Sequence, residues 1–172
     1  MAGAAVIATA AVLAVLVTAG LEKRHDERVV SVRGVVDTFD RADAAELGAV
    51  PRGPRWASTS GRWGVAGHQA ALLEPAGDAS VAAVDLGSGD GSAEVRVATV
   101  VTGAGLVFRY RGPNDFWSVV ALPFYGTWTV VRRIGGQSTA VASTGLSPVG
   151  DGVTLAVTMK GSEEWLQWGH GL

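Results

Sequence analysis

Four aspartates, three aromatic side chains and two arginines are the residues of this 172-residue chain with types and spacing suited to chemistry. Asp37, Asp40 and Asp43 recur at every third position in "DTFDRAD", and Asp90 sits in the glycine loop "GSGDG". Oxygen-rich loops of this kind suit calcium, a hard cation that takes carboxylate and carbonyl oxygens. Neither stretch has the alternating oxygens of an EF-hand loop, and aspartate is also a common residue for hydrogen-bonding local backbone in turns. Calcium is therefore the one cofactor the sequence leaves room for, with turn capping as the competing role. Trp117, Tyr125 and Trp128 lie on or beside strand-like stretches, where an aromatic face can stack on a sugar, and Arg109 and Arg132 can supply donors. The competing role for these aromatics is core packing.

Other chemistries lack their groups. The chain has no cysteine, which excludes thiolate metal sites, a cysteine nucleophile and disulfides. Glycosidic cleavage needs two carboxylates held roughly 5–10 Å apart. Glu163 and Glu164 are adjacent and would point to opposite faces of a strand, and Glu94 is alone on its own. The glycine run "GSGDGS" has no helix after it to receive a phosphate. His68 falls at a predicted turn with no second histidine near it, and His25 lies in a charged linker. A net charge of −2 argues against an electrostatic nucleic-acid binder.

Strands must position whatever site exists. The 24 glycines, with frequent valine and threonine, favour short strands joined by tight turns. "VTLAVTM", residues 153–159, alternates Val153, Leu155, Val157 and Met159 against Thr154, Ala156 and Thr158, the pattern of a half-buried strand. Residues 93–101, 104–111, 115–122, 127–133 and 138–144 also read as strands, the last two joined through Gly135-Gly136 as a hairpin. In "TSGRWGVAGHQAAL", residues 59–72, "GRWGV" and "AALLE" read as paired strands around an "AGHQ" turn. Residues 41–47 allow one helical turn at most, and Pro51 and Pro54 make 48–56 a loop.

The N-terminus carries the address. Residues 2–20, "AGAAVIATAAVLAVLVTAG", have no charge and no proline, and as a helix would be long enough for one bilayer core. This predicts a transmembrane anchor or a signal segment over residues 1–20, with Val17 and Ala19 placed for cleavage. Residues 21–34 form a charged linker and residues 35–172 the β-domain. Lys23 and Arg24 follow the apolar run and would, on a charge count, place the domain inside. A β-rich domain behind a lone apolar segment points to the outside, so the expected location is extracytoplasmic, membrane-anchored, or secreted after cleavage.

The order of the pieces resembles the concanavalin A-like lectin/glucanase superfamily, and more narrowly its laminin-G-like jelly-roll modules. The stretches that carry it are "DTFDRADAAELG" (37–48) as first strand and loop, "SGRWGVAGHQAAL" (60–72) and "AVDLGSGDGSAEVRVATV" (83–100). "GAGLVFRYRGPNDFWSVV" (103–120) and "WTVVRRIGGQSTAVAST" (128–144) continue it. The resemblance implies an antiparallel two-sheet sandwich, and it implies no single function. Its hydrolase members carry a Glu-x-Asp-x-x-Glu strand, which this sequence lacks. Such modules also continue beyond the strand at 153–160, whereas here "GSEEWLQWGHGL" shows no alternation and no closing strand, so a C-terminally incomplete domain is expected. Taken together, the sequence predicts a non-catalytic sandwich module that binds carbohydrate or a cell-surface protein. The alternatives are a structural or interaction module without a ligand and, third, a glycoside hydrolase.

Overall fold

A computed structural model describes residues 10–13, 35–87, 89–145 and 152–170, with side chains described over 35–87, 89–143 and 152–162. Its strands are β1 (Ala10–Leu13), β2 (Ala57–Ser60), β3 (Arg62–Ala66), β4 (Gln69–Glu74), β5 (Ala79–Ala83) and β6 (Gly91–Val97). They continue with β7 (Gly105–Gly112), β8 (Asp115–Leu122), β9 (Thr127–Ile134), β10 (Gln137–Gly145), β11 (Val153–Lys160) and β12 (Glu163–His170). A 3-10 turn, Pro123–Tyr125, is the one helical element among the described residues. The fold is all-β and sandwich-like. One sheet runs β10-β9-β8-β7-β1-β5-β2, a second β12-β11-β6, and β3-β4 form a separate hairpin. Every pairing is antiparallel except those of β1.

Alternation decides what is buried. In β11, Val153, Leu155 and Val157 are 4%, 0% and 1% exposed, and β6 presents Ala93, Val95 and Val97 beside them. These pack with Leu106, Val119, Ala121 and Trp128 of the large sheet in one core. Each large apolar side chain so buried contributes roughly 1.5–3 kcal/mol relative to exposure. Register ties the large-sheet residues together, since Leu106 lies opposite Val119, and Ala121 opposite Trp128. A second core joins Phe39, Leu47, Val50 and Trp56 to Trp63 and Val65 of β3 and to Ala82 and Val84.

The hairpins turn where glycine permits it. Gly135 and Gly136 have φ of +57° and +82°, the left-handed pair of a type I′ turn between β9 and β10. Gly67 and His68, at +59° and +60°, make the same turn between β3 and β4. The expected strands at 115–122, 127–133, 138–144 and 153–159 are all present, each within a residue or two of its expected ends.

Two expectations meet a different backbone. Residues 37–43 form no strand: the Asp37 carboxylate accepts from the Phe39 amide at 3.0 Å, and Phe39 takes φ +54°. The chain turns on itself there, and the next bridge comes at Ala44, opposite Val65. The tail is a strand. β12 pairs along the whole of β11, from Lys160 opposite Glu163 to Val153 opposite His170. The free edge of β11 dictates that pairing, so weak alternation in the tail does not prevent it. The turn is fixed by Gly161, at φ +58°, whose amide donates to Asp90 at 2.9 Å.

In the N-terminal apolar run, Ala10–Leu13 are extended as β1. The rest of residues 1–34, including the linker and His25, lies outside the described residues, and so does the expected helix as a whole. Among the described residues no helix is long and apolar enough to cross a membrane.

Candidate ligand-binding surface

The expected site residues do not converge on one place. Trp128 is core, 1% exposed, inside the sandwich where it cannot stack on an external ligand. Trp117 is half-buried on β8, and the register lines up Phe108, Trp117, Arg132 and Thr139 across β7 to β10. Phe108 stacks on Trp117 with ring centroids 6.4 Å apart, and the Arg132 guanidinium lies 5.5 Å over the Trp117 ring. Arg132 therefore covers the indole face that a sugar would use. Arg109 is half-buried, takes φ +49° at a β7 irregularity, and donates from Nη2 to the Gly161 carbonyl at 2.6 Å. That bond ties β7 to the β11–β12 turn.

Tyr125 stands apart. It is 71% exposed on the β8–β9 connection, beside Phe124 at 91%. The two rings meet edge to face, centroids 5.2 Å apart and 88° between planes. Their support is stiff: Pro123 fixes the start of the turn, and Gly126, at φ +60°, closes it with a 3.0 Å bond to the Pro123 carbonyl. A phenylalanine this exposed gains nothing from folding. Sequence reading missed Phe124, although "PFYG" between two strands marks a turn in which aromatics have no core to enter.

The aspartates are engaged in holding loops. Asp37 accepts four hydrogen bonds: from the Phe39 amide, from Trp56 Nε1 at 2.9 Å, and from Arg41 Nη1 and Nη2 at 2.7 and 3.1 Å. Its side chain is 1% exposed. Burial pushes its pKa up, but the bonds from Arg41, Phe39 and Trp56 and the Arg41 charge outweigh this and hold it below the ordinary aspartate value. No oxygen of Asp37 is left for a cation. Asp40 meets His68 Nδ1 at 2.9 Å, and Asp43 accepts from the Gly67 amide at 2.8 Å, so this loop grips the tip of the β3–β4 hairpin. Asp90 serves the β11–β12 turn instead. Among the described residues no three His, Cys, Asp or Glu converge on a metal-sized site.

His68 is thus a turn residue with an exposed acidic neighbour. His68→Gly removes that contact, which is worth at most about 1 kcal/mol at the surface. It also relieves a left-handed side-chain conformation costing a similar roughly 1–2 kcal/mol. The expected result is a melting temperature within a few degrees of the parent, measured by circular dichroism.

One further polar link was not legible. Arg133, 9% exposed, forms a two-pronged pair with Asp78, Nη1 to Oδ2 at 2.8 Å and Nη2 to Oδ1 at 3.2 Å, and Nη1 also reaches Ser138 Oγ at 3.2 Å. The Arg133 hydrogen bond holds the Asp78 pKa below its ordinary value. The guanidinium lies 5.9 Å over Phe116, which stacks in turn on Tyr110. Its partner is 55 residues away in sequence, so no local spacing announces it.

Among the described residues the surface therefore offers one open aromatic tip and several closed polar links. Compared with family models, with curated proteins and with solved structures, the chain matches none.

Proposed function

We propose that this chain is a non-catalytic jelly-roll module of the concanavalin A-like kind that binds carbohydrate through the Phe124–Tyr125 tip. The observation that carries the reading is the exposure of two aromatic rings, 91% and 71%, on a turn braced by Pro123 and Gly126. Sugars present apolar C–H faces that stack on such rings, and a stiff turn loses little entropy on binding. The engagement of Asp37, Asp43, Asp78 and Glu74 with donors within the fold favours binding over hydrolysis, since it leaves these carboxylates in structural roles.

The test is a panel of immobilised glycans probed with the full chain, followed by titration of any hit. Tyr125→Ala and Phe124→Ala are each expected to weaken binding at least tenfold, about 1.4 kcal/mol, with the melting temperature unchanged. Glycan binding that survives the double variant would remove the tip from the site. A panel with no hit at all would remove carbohydrate as the ligand.

A further inference from the structure

We infer that β10 is an interface for a second copy of this chain, two β10 strands pairing antiparallel about a twofold axis between Val141 and Ala142 to join their large sheets edge to edge. The inference is independent of the carbohydrate reading.

β10 is the longest strand among the described residues, at nine residues, and it lies at one end of the large sheet. Strands at a sheet's end are ordinarily short. Every described side chain of Gln137–Ser143 is exposed, on both faces of the strand. Burial against its own fold therefore accounts for little of its length. Among the described residues no strand lies on its outer side, so half of its backbone donors and acceptors point outward.

The sequence says what fits there. Gln137–Gly145 carries no charge, so two copies meet without repulsion. The strand also reads nearly the same in both directions. "STAVAST", residues 138–144, has Val141 at its centre, an alanine on each side, and serine and threonine outside them. An antiparallel partner presents the strand in reverse, so β10 meets a near-copy of itself, as a twofold interface requires.

The irregularity in β10 sets the register. It lies between Ala140 and Ala142, at the middle of the strand, and shifts the alternation there by one residue. Ser138, Ala140, Ser143 and Gly145 pair with Arg133, Val131, Thr129 and Thr127 of β9, so these positions share one face. Thr139, Ala142 and Thr144 pair with Arg132, Val130 and Trp128 and share the other. Residues opposite each other in a ladder must lie on the same face. An axis between Val141 and Ala142 meets that condition along the whole strand. It sets Thr139 opposite Thr144, Ala140 opposite Ser143 and Ser138 opposite Gly145 of the other copy. Threonine pairs of this kind are favourable across antiparallel strands. The two irregularities fall together at the axis, whereas one nearer an end would interrupt the pairing twice.

The test is sedimentation velocity of the full chain over a concentration series. Expected is a monomer–dimer equilibrium that stops at two chains. Val141→Lys and Val141→Glu each place two like charges beside the axis, and each is expected to weaken the dimer at least tenfold. Their melting temperatures are expected to stay within a few degrees of the parent, since Val141 is 53% exposed. An equal mixture of the two variants is expected to recover the dimer, because lysine then meets glutamate. All of these chains share the apolar N-terminal run, so any association through that run is common to them. A second measurement reads the register. The chain has no cysteine, and Thr139 and Thr144 lie roughly 17 Å apart along one strand, beyond reach of a disulfide. Thr139→Cys with Thr144→Cys is therefore expected to link two copies on oxidation, seen by intact mass and non-reducing electrophoresis, while Thr139→Cys alone stays unlinked. A monomer at every concentration, assemblies that grow past two chains, or a dimer untouched by Val141→Lys would overturn the proposal. So would a mixture that associates no better than its components, or Thr139→Cys alone linking as readily as the pair.

Discussion

Gly105→Ala is expected to lower the melting temperature by roughly 10 °C, the consequence of about 3 kcal/mol lost in a domain of this size. Gly105 opens β7, and register sets it opposite Val120. A Cβ there would meet the Val119 carbonyl oxygen closer than real Cβ atoms approach, and would lie 2.9 Å from the Val119 carbonyl carbon and 3.0 Å from Val120 Cα. All three are backbone atoms of a central strand, so no side chain can swing aside, and β7 and β8 must separate. The loss falls where Leu106, Val119 and Ala121, all 0–1% exposed, hold the two sheets together. At Gly112, the other end of β7, an added methyl group would meet nothing within 4 Å, and Gly112→Ala is the matched control. Thermal unfolding followed by near-ultraviolet circular dichroism checks both. Equal melting temperatures for the two variants would mean that the β7–β8 contact yields easily.

Asp37→Ala is expected to cost about 1–3 kcal/mol, the range for leaving partly buried donors without their acceptor. The carboxylate gathers Arg41, the Phe39 amide and the Trp56 indole, and Arg41 Nη2 passes the link on to the Leu47 carbonyl. Without it the guanidinium and the indole N–H lose their acceptor beside the second core, and Phe39, Leu47 and Trp56 lose their alignment. The pH dependence follows from the direction of the shift. The folded pKa of Asp37 lies below the ordinary value of 3.8 that the unfolded chain would have. Its stabilisation is therefore complete above that ordinary value and is lost as pH falls through the lower, folded one. Denaturant melts taken from neutral pH downward should show the parent losing stability in the acid range and Asp37→Asn losing less. A parent and variant with parallel acid profiles would place the acid sensitivity elsewhere, with Asp78 the next carboxylate to test.

What the sequence made legible was the alternating half of the molecule. β8, β9 and β11 announce themselves because one face is buried and the other is wet, and the Gly135-Gly136 pair marks the hairpin to β10 without help from distant residues. β5 is harder, since "ASVAA" is buried or half-buried at every position and shows no alternation. β12 owes its existence to the open edge of β11. The site residues divide in the same way. Tyr125 and Trp128 are three positions apart and equally aromatic, yet one is 71% and the other 1% exposed. The difference lies in the pairing of Trp128 with Ala121, a register that local sequence does not encode. The Asp37–Arg41 pair is local enough to anticipate, whereas Trp56, the third member, arrives from 19 residues away.

The outer strand β10 has a consequence for how the molecule lives in a crowded solution. Every described side chain of Gln137–Ser143 is exposed, Val141 is 53% exposed, and "QSTAVASTG" contains no lysine, glutamate or proline. Natural sheets guard their rims with charge, proline or a covering loop, because a bare row of amides and carbonyls is a template for the next chain. Among the described residues the guard here is a single irregularity between Ala140 and Ala142. One bulge is a thin defence against sheet growth from molecule to molecule, so association through this rim is expected to rise with protein concentration, as light scattering would read.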